Sequence, residues 1–282
     1  MTGGRPPEIE TLANRLLIHR LSRLALPGAI RLGLHPNLIT AAGLCLGLAA
    51  AAAYLRWPDP RFATLGLLLM LGWTVMDGLD GQLARATGKT SDAGRLLDGV
   101  ADYSAFVATY MALAFTHPKP VAATLIALAA GAAHALQAQF YEGERATYTR
   151  RIAGRFEAVK RPETGGAAER LYNRGEALLG NRARPFDAAL IAADPARREA
   201  LLARWRPDAA RTLRRMAPLS ADGRVFAIWL AALAGEPILF WLWEILALSL
   251  LALAANAGLR QAESGAARAG AAPADDAGNR KN

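Results

Sequence analysis

Long apolar runs, each closed by proline, glycine or charge, divide this chain. They fall at about 38–55, 62–85, 91–115, 121–140, 225–234 and 238–257. A helix needs roughly 20 apolar residues to cross a bilayer, so the pattern predicts an all-α membrane protein with six transmembrane helices. The fifth run is short, which implies a helix that begins earlier among polar residues. Trp57-Pro58-Asp59-Pro60, His117-Pro118-Lys119-Pro120 and Gly235-Glu236-Pro237 mark tight turns between spans. Ser91 has the chemistry and position of an N-cap for the third helix.

Outside the spans the pattern changes. From Glu8 to about Leu26, Ile9, Leu12, Leu16, Leu17, Leu21 and Leu24 recur near helical spacing, with Arg15, His19, Arg20 and Arg23 between them. This predicts an amphipathic helix on the membrane surface, ended by Pro27-Gly28. Residues 143–220 are rich in arginine and broken by proline and glycine. They read as a helical cytoplasmic insert between spans four and five, with one helix from Ala196 to Trp205 and another from Ala209 to Met216. An amphipathic stretch from Glu169 to Leu179 reads as a packed or surface helix. The expected organisation is a juxtamembrane segment (1–35), spans one to four (36–142), the insert (143–220), spans five and six (221–258) and a disordered tail (259–282).

Composition sharpens this picture at two points. Of 282 residues 53% are hydrophobic, yet the formal net charge is +9. Both fit apolar spans joined by basic loops beside an anionic lipid surface. The basic residues concentrate before span one, around Lys89, in the insert and at Arg260, which predicts that both termini face the cytoplasm. No nucleic-acid-binding motif accompanies the charge, so no nucleic-acid partner is expected. The single cysteine, Cys45, excludes an internal disulfide and a cysteine-rich metal site.

Candidate chemistry is concentrated between Asp77 and Asp102. Asp77, Asp80, Gly81 and Ala84 fall on one face of a helix, and Gly94, Asp98 and Asp102 on one face of the next. Acids at the edge of apolar spans are costly without partners and read as functional. Folding the two helices as a hairpin brings the acidic faces together. Four carboxylates suit hard divalent cations such as Mg²⁺ or Mn²⁺, and their charge suits a pair of ions sharing ligands. Arg85 ends the second helix where a guanidinium can meet phosphate, although positive-inside placement alone would also explain it. Arg145, Arg150 and Arg151 follow the fourth span and read chiefly as solvated positive-inside charge, with contact to an acceptor phosphate as the alternative. His134 reads as a hydrogen-bonded core residue.

The run Asp77-x2-Asp80-Gly81-x2-Ala84-Arg85-x8-Gly94-x3-Asp98-x3-Asp102 resembles the signature of the CDP-alcohol phosphotransferase (phosphatidyltransferase) family at every fixed position. Eight such positions agree by chance on the order of 10⁻¹⁰ at a given register. Pro36-Asn37-x2-Thr40 is similar to an element at the first span of many members. The resemblance implies transfer of a phosphoalcohol group from a CDP-alcohol to an acceptor hydroxyl, with release of CMP, in phospholipid synthesis. It implies two divalent ions, Mg²⁺ or Mn²⁺, held by Asp77, Asp80, Asp98 and Asp102, with Asp102 as general base. It also implies that Gly81, Ala84, Arg85 and Gly94 line the CDP site, bordered by Asn37 and Thr40. CDP-diacylglycerol with a small polar alcohol or its phosphate is the commonest arrangement in the family. A CDP-choline or CDP-ethanolamine donor with a lipid acceptor is the alternative. Dimerisation is common in the family, and an inner membrane of bacterial type is the expected location.

Two readings of other classes compete. A cation transporter would use the acids as an ion path, but it leaves the matching Gly81, Ala84, Arg85 and Gly94 unexplained. A catalytically silent scaffold would act through the basic insert, and the complete acidic set argues against it.

Overall fold

A computed structural model describes residues 6–11, 13–157 and 184–271. The described residues are helical, without strands. Two units divide the chain, residues 1–138 with 217–250 and residues 139–216 with 251–282.

The first unit begins with a π-helical turn, Asn14–Ile18, that runs into α1, His19–Arg31. Pro27 was expected to end this helix and instead lies within it. Ile18, Ser22 and Ala29 form a buried stripe that crosses the proline, so packing offsets the hydrogen bond that Pro27 cannot donate. The stop comes at Gly33, which takes the left-handed φ of 62°. The Leu34 amide there reaches back to the Ala29 carbonyl at 3.1 Å, a glycine-terminated helix end. Leu16, Leu17, Leu21 and Leu24 stay exposed beside the exposed Arg15, Arg20 and Arg23.

The helices α2 (Pro36–Tyr54), α3 (Pro60–Thr87) and α4 (Asp92–Phe115) each start where the sequence places a cap and, for two of them, a first-turn proline. His35 Nδ1 accepts from the Asn37 amide at 3.3 Å, Asp59 from Arg61 at 2.9 Å and Ser91 from Gly94 at 3.0 Å. α3 packs against α1, and α2 packs against both α3 and α4. Gly47 permits the α2–α4 crossing, because a Cβ there would come within 2.6 Å of the Ala105 Cβ. Ser22 on α1 donates to the Val75 carbonyl of α3 at 2.9 Å, two residues from Asp77.

α5 (Pro120–Ile152), α8 (Ala221–Leu233), α9 (Ile238–Leu242), a second π-helical turn (Trp243–Leu248) and α10 (Ser249–Ala271) supply the other long helices. Unit 1 buries an aromatic ladder in which Trp73, Phe106, Tyr110 and Phe240 stack edge to face at 5.3, 6.2 and 5.5 Å. Such pairs add to the stabilisation from area burial alone.

Among the described residues four helices are long and apolar enough to cross a membrane: Pro36–Tyr54, Pro60–Thr87, Pro120–Ile152 and Ile238–Arg268. The sequence reading expected six. α4 is long enough but carries Asp98, Asp102, Tyr103 and Tyr110, which lower its apolarity. α8 has 13 residues, a length of about 20 Å at 1.5 Å per residue, short of the bilayer's hydrocarbon core.

In unit 2, α6 (Pro185–Ala192) and α7 (Pro195–Arg215) pack with the ends of α5 and α10. Two helices were expected on either side of Pro207, and a single one is found. Leu201, Trp205, Ala209 and Leu213 are buried at four-residue spacing across the proline. Their burial outweighs the roughly 3 kcal/mol that an interior proline costs. The expected disordered tail is helical as far as Ala271, with Glu263 buried. The stretch from Glu169 to Leu179 lies outside the described residues.

Candidate functional site

α3 and α4 form the hairpin that the acidic pattern requires. The hairpin brings Asp77, Asp98 and Asp102 together: each offers a carboxylate oxygen, and the three oxygens lie within 4.8 Å of one another. Asp77 is exposed, and the other two are half-buried. Two carboxylates 4.8 Å apart repel by about 3.5 kcal/mol at an effective dielectric of ~20. An oxygen-only donor set of three charges facing solvent therefore fits a hard divalent cation.

Asp80 is placed differently. It is buried, and the hydroxyl of Thr40 on α2 donates to its Oδ2 at 2.5 Å. Thr40 thus fixes the rotamer of the fourth acid, a role that outer-shell partners play at metal sites. Thr40→Val keeps the shape of the side chain and removes the donor. The expected result is an activating divalent-ion requirement raised about tenfold, read from activity against metal concentration.

The other signature positions surround these acids. The Arg85 guanidinium folds over Gly81, where a Cβ would stand 3.2 Å from Nη1. A Cβ at Gly94 would stand 3.0 Å from Ser91 Oγ and 3.4 Å from Asn37 Oδ1. At the N-terminal ends of α2 and α4 the Asn37 side chain therefore comes up against the bare Gly94 backbone. Ala84 is half-buried and Arg85 is exposed. Small residues beside the acids and a cation at the rim leave room for a phosphate-bearing ligand.

A family model for CDP-alcohol phosphatidyltransferase matches residues 33–159. The chain carries a CDP-alcohol phosphatidyltransferase domain. The match contains Asn37, Thr40 and every position of the acidic signature. No curated protein matches the chain. Members of that family are transferases that move a phosphatidyl group from a CDP-alcohol to an alcohol, and this chain is an enzyme of the transferase class with four described helices long and apolar enough to cross a membrane. The family is generally dependent on divalent metal, in keeping with the phosphatidyltransferase domain's acidic cluster.

The arginines in the last turns of α5, Arg145, Arg150 and Arg151, are buried in the protein instead of solvated. Arg145 pairs with Glu142 at 2.6 Å and lies over the Tyr141 ring. Arg151 reaches both oxygens of Asp187, at 2.8 and 3.1 Å, and Glu263 at 2.7 Å. Its guanidinium lies about 5 Å from the ring centroids of Phe186 and Trp205. Arg184 joins Glu263 at 3.0 Å and also pairs with Glu144. The insert is built on these ion pairs. Sequence reasoning missed the pairs of Arg151 and Arg184 because their partners lie 36 to 112 residues away. It also missed Arg224 and Glu244, whose only signal was an ionisable residue inside an apolar run.

Proposed function

We propose that the enzyme transfers the phosphatidyl group of CDP-diacylglycerol to the hydroxyl of a small polar alcohol or its phosphate, releasing CMP. The observation that carries this reading is the convergence of Asp77, Asp98 and Asp102 within a phosphatidyltransferase domain. Asp77, Asp80, Asp98 and Asp102 would hold two divalent ions, Mg²⁺ or Mn²⁺. When bound, such ions supply Lewis-acid stabilisation of charge on the pyrophosphate.

The side chains do the rest. Asp102 takes the proton of the acceptor hydroxyl as its oxygen attacks the phosphorus that bears the diacylglycerol. The bond from that phosphorus to the bridging oxygen breaks, and CMP leaves with the electron pair. Arg85 binds a phosphate oxygen, Gly81, Ala84 and Gly94 admit the nucleotide, and Asn37 and Thr40 border it. α4 and α8 complete a six-span bundle, with α8 entering the membrane from its polar N-terminal turn. The distribution of basic segments supports a site and both termini on the cytoplasmic face, where CDP-linked substrates and divalent ions are available.

The test is a donor-by-acceptor matrix on purified protein in detergent, with mass spectrometry of the lipid product. CMP release that requires Mg²⁺ or Mn²⁺ is the expected result. Metal flux into liposomes without turnover of any CDP-alcohol would overturn it in favour of transport.

A further inference from the structure

A second constellation of ionisable groups lies inside unit 1, where the proposed reaction has no use for it. Arg224 on α8 and Glu244 in the π-helical turn are 1% and 0% exposed. Arg224 Nε donates to Glu244 Oε1 at 2.7 Å, and Nη2 donates to Gln137 Oε1 on α5 at 2.9 Å. The second oxygen of Glu244 accepts from the Tyr110 hydroxyl of α4. That hydroxyl also lies 3.1 Å from His134 Nδ1 on α5.

Stability does not account for this arrangement. A buried ion pair is often no better than apolar residues of the same volume, and ionisable groups among membrane helices are costly. The π-helical turn is a further departure from regular helix of a kind that recurs at functional sites.

What the network does is geometric. Asp98, Asp102, Phe106 and Tyr110 are four residues apart and share one face of α4. At one end this stripe presents two of the clustered aspartates. At the other end it is hydrogen-bonded to a carboxylate locked by Arg224. Between them Phe106 packs on His134 at 4.5 Å and on Trp73 of α3 at 5.3 Å. A side-chain tip stands about 5–6 Å from a helix axis, so a 10° rotation of α4 moves a carboxylate by about 1 Å. Metal sites hold their ligands to within roughly 0.2 Å.

We propose that Tyr110, Glu244 and Arg224 are positioning residues. They set the rotational register of α4 and so the placement of Asp98 and Asp102 against Asp77. The inference rests on the reading of these aspartates as metal ligands.

Mn²⁺ binding, followed by the electron paramagnetic resonance signal of free Mn²⁺, tests it together with CMP release. In Tyr110→Phe and in Glu244→Gln, Mn²⁺ binding is expected to weaken about tenfold and kcat to fall, with KM for the CDP-linked donor unchanged. Trp229→Phe, which removes the 3.4 Å bond to Thr64 elsewhere in the unit, serves as a packing control and is expected to bind Mn²⁺ as the wild type does. Wild-type Mn²⁺ affinity in both network variants would overturn the proposal, as would equal weakening in the control. A wild-type protein that turns over CDP-alcohols but binds no Mn²⁺ would overturn the metal reading and this proposal with it, leaving the transfer reaction standing.

Discussion

Asp98→Asn is expected to lower CMP release by about 10³-fold or more, a loss of at least ~4 kcal/mol in transition-state stabilisation. The substitution keeps the size of a half-buried side chain on the α3–α4 hairpin and removes one of three clustered negative charges. A divalent ion would then be held less tightly, and charge growing on the pyrophosphate would lose part of the counter-field that such an ion supplies. The melting temperature is expected to stay within a few degrees of wild type, because no apolar contact is lost and asparagine retains hydrogen-bonding capacity. Asp102→Asn is expected to cost about 10²–10⁴-fold, the range for removal of a general base. Activity and thermal unfolding measured on the same samples separate chemistry from folding. Turnover that survives Asp98→Asn would exclude the acidic cluster as the reacting centre.

Asp187→Ala is the substitution with the largest expected effect on stability. It leaves Arg151, 1% exposed, without both of its Asp187 hydrogen bonds and frees the Arg184 amide from Oδ2. Removing one partner of a buried pair costs about 3–5 kcal/mol, because the remaining charge stays out of water. Limited proteolysis should then cut the insert before the rest of the chain. Replacing both residues with apolar ones of similar size should recover most of the loss.

The same carboxylate predicts a pH response. Burial alone would raise its pKa, but hydrogen bonds and charge from Arg151, followed by the charge of Arg150, hold it below the usual aspartate range. A depressed carboxyl contributes stability that is complete above its unfolded value of about 3.9 and is lost as pH falls through the folded value. Unit 2 should therefore become protease-sensitive below about pH 4 in the wild type. In the doubly apolar variant that transition should be weakened.

Local signals read well in this chain. Pro36, Asp59 and Ser91 start helices where their chemistry says they should, because a cap acts within one turn. The signature from Asp77 to Asp102 is legible for the same reason, since two helix faces and a short link are all that it needs. Local signals failed at Pro27 and Pro207. At each, a proline read as a stop was overridden by a buried stripe whose packing partners are distant in sequence. They failed again at Arg150 and Arg151, where charge after an apolar helix suggested solvent.

By itself, then, the amino-acid order determined that the protein is helical, that it carries apolar spans, and that two acidic helix faces can meet in a hairpin. Periodicity and capping depend on neighbours within a few residues. Only the tertiary structure decided that Asp80 is buried and bonded to Thr40 while the other three acids form the close group. It also decided that the arginines of the insert are buried in ion pairs, and that Tyr110 is tied to Glu244 across 134 residues. Whether a charged side chain is a solvated residue, a clamp or a ligand depends on what the fold brings within about 3 Å of it, and sequence spacing does not encode that distance.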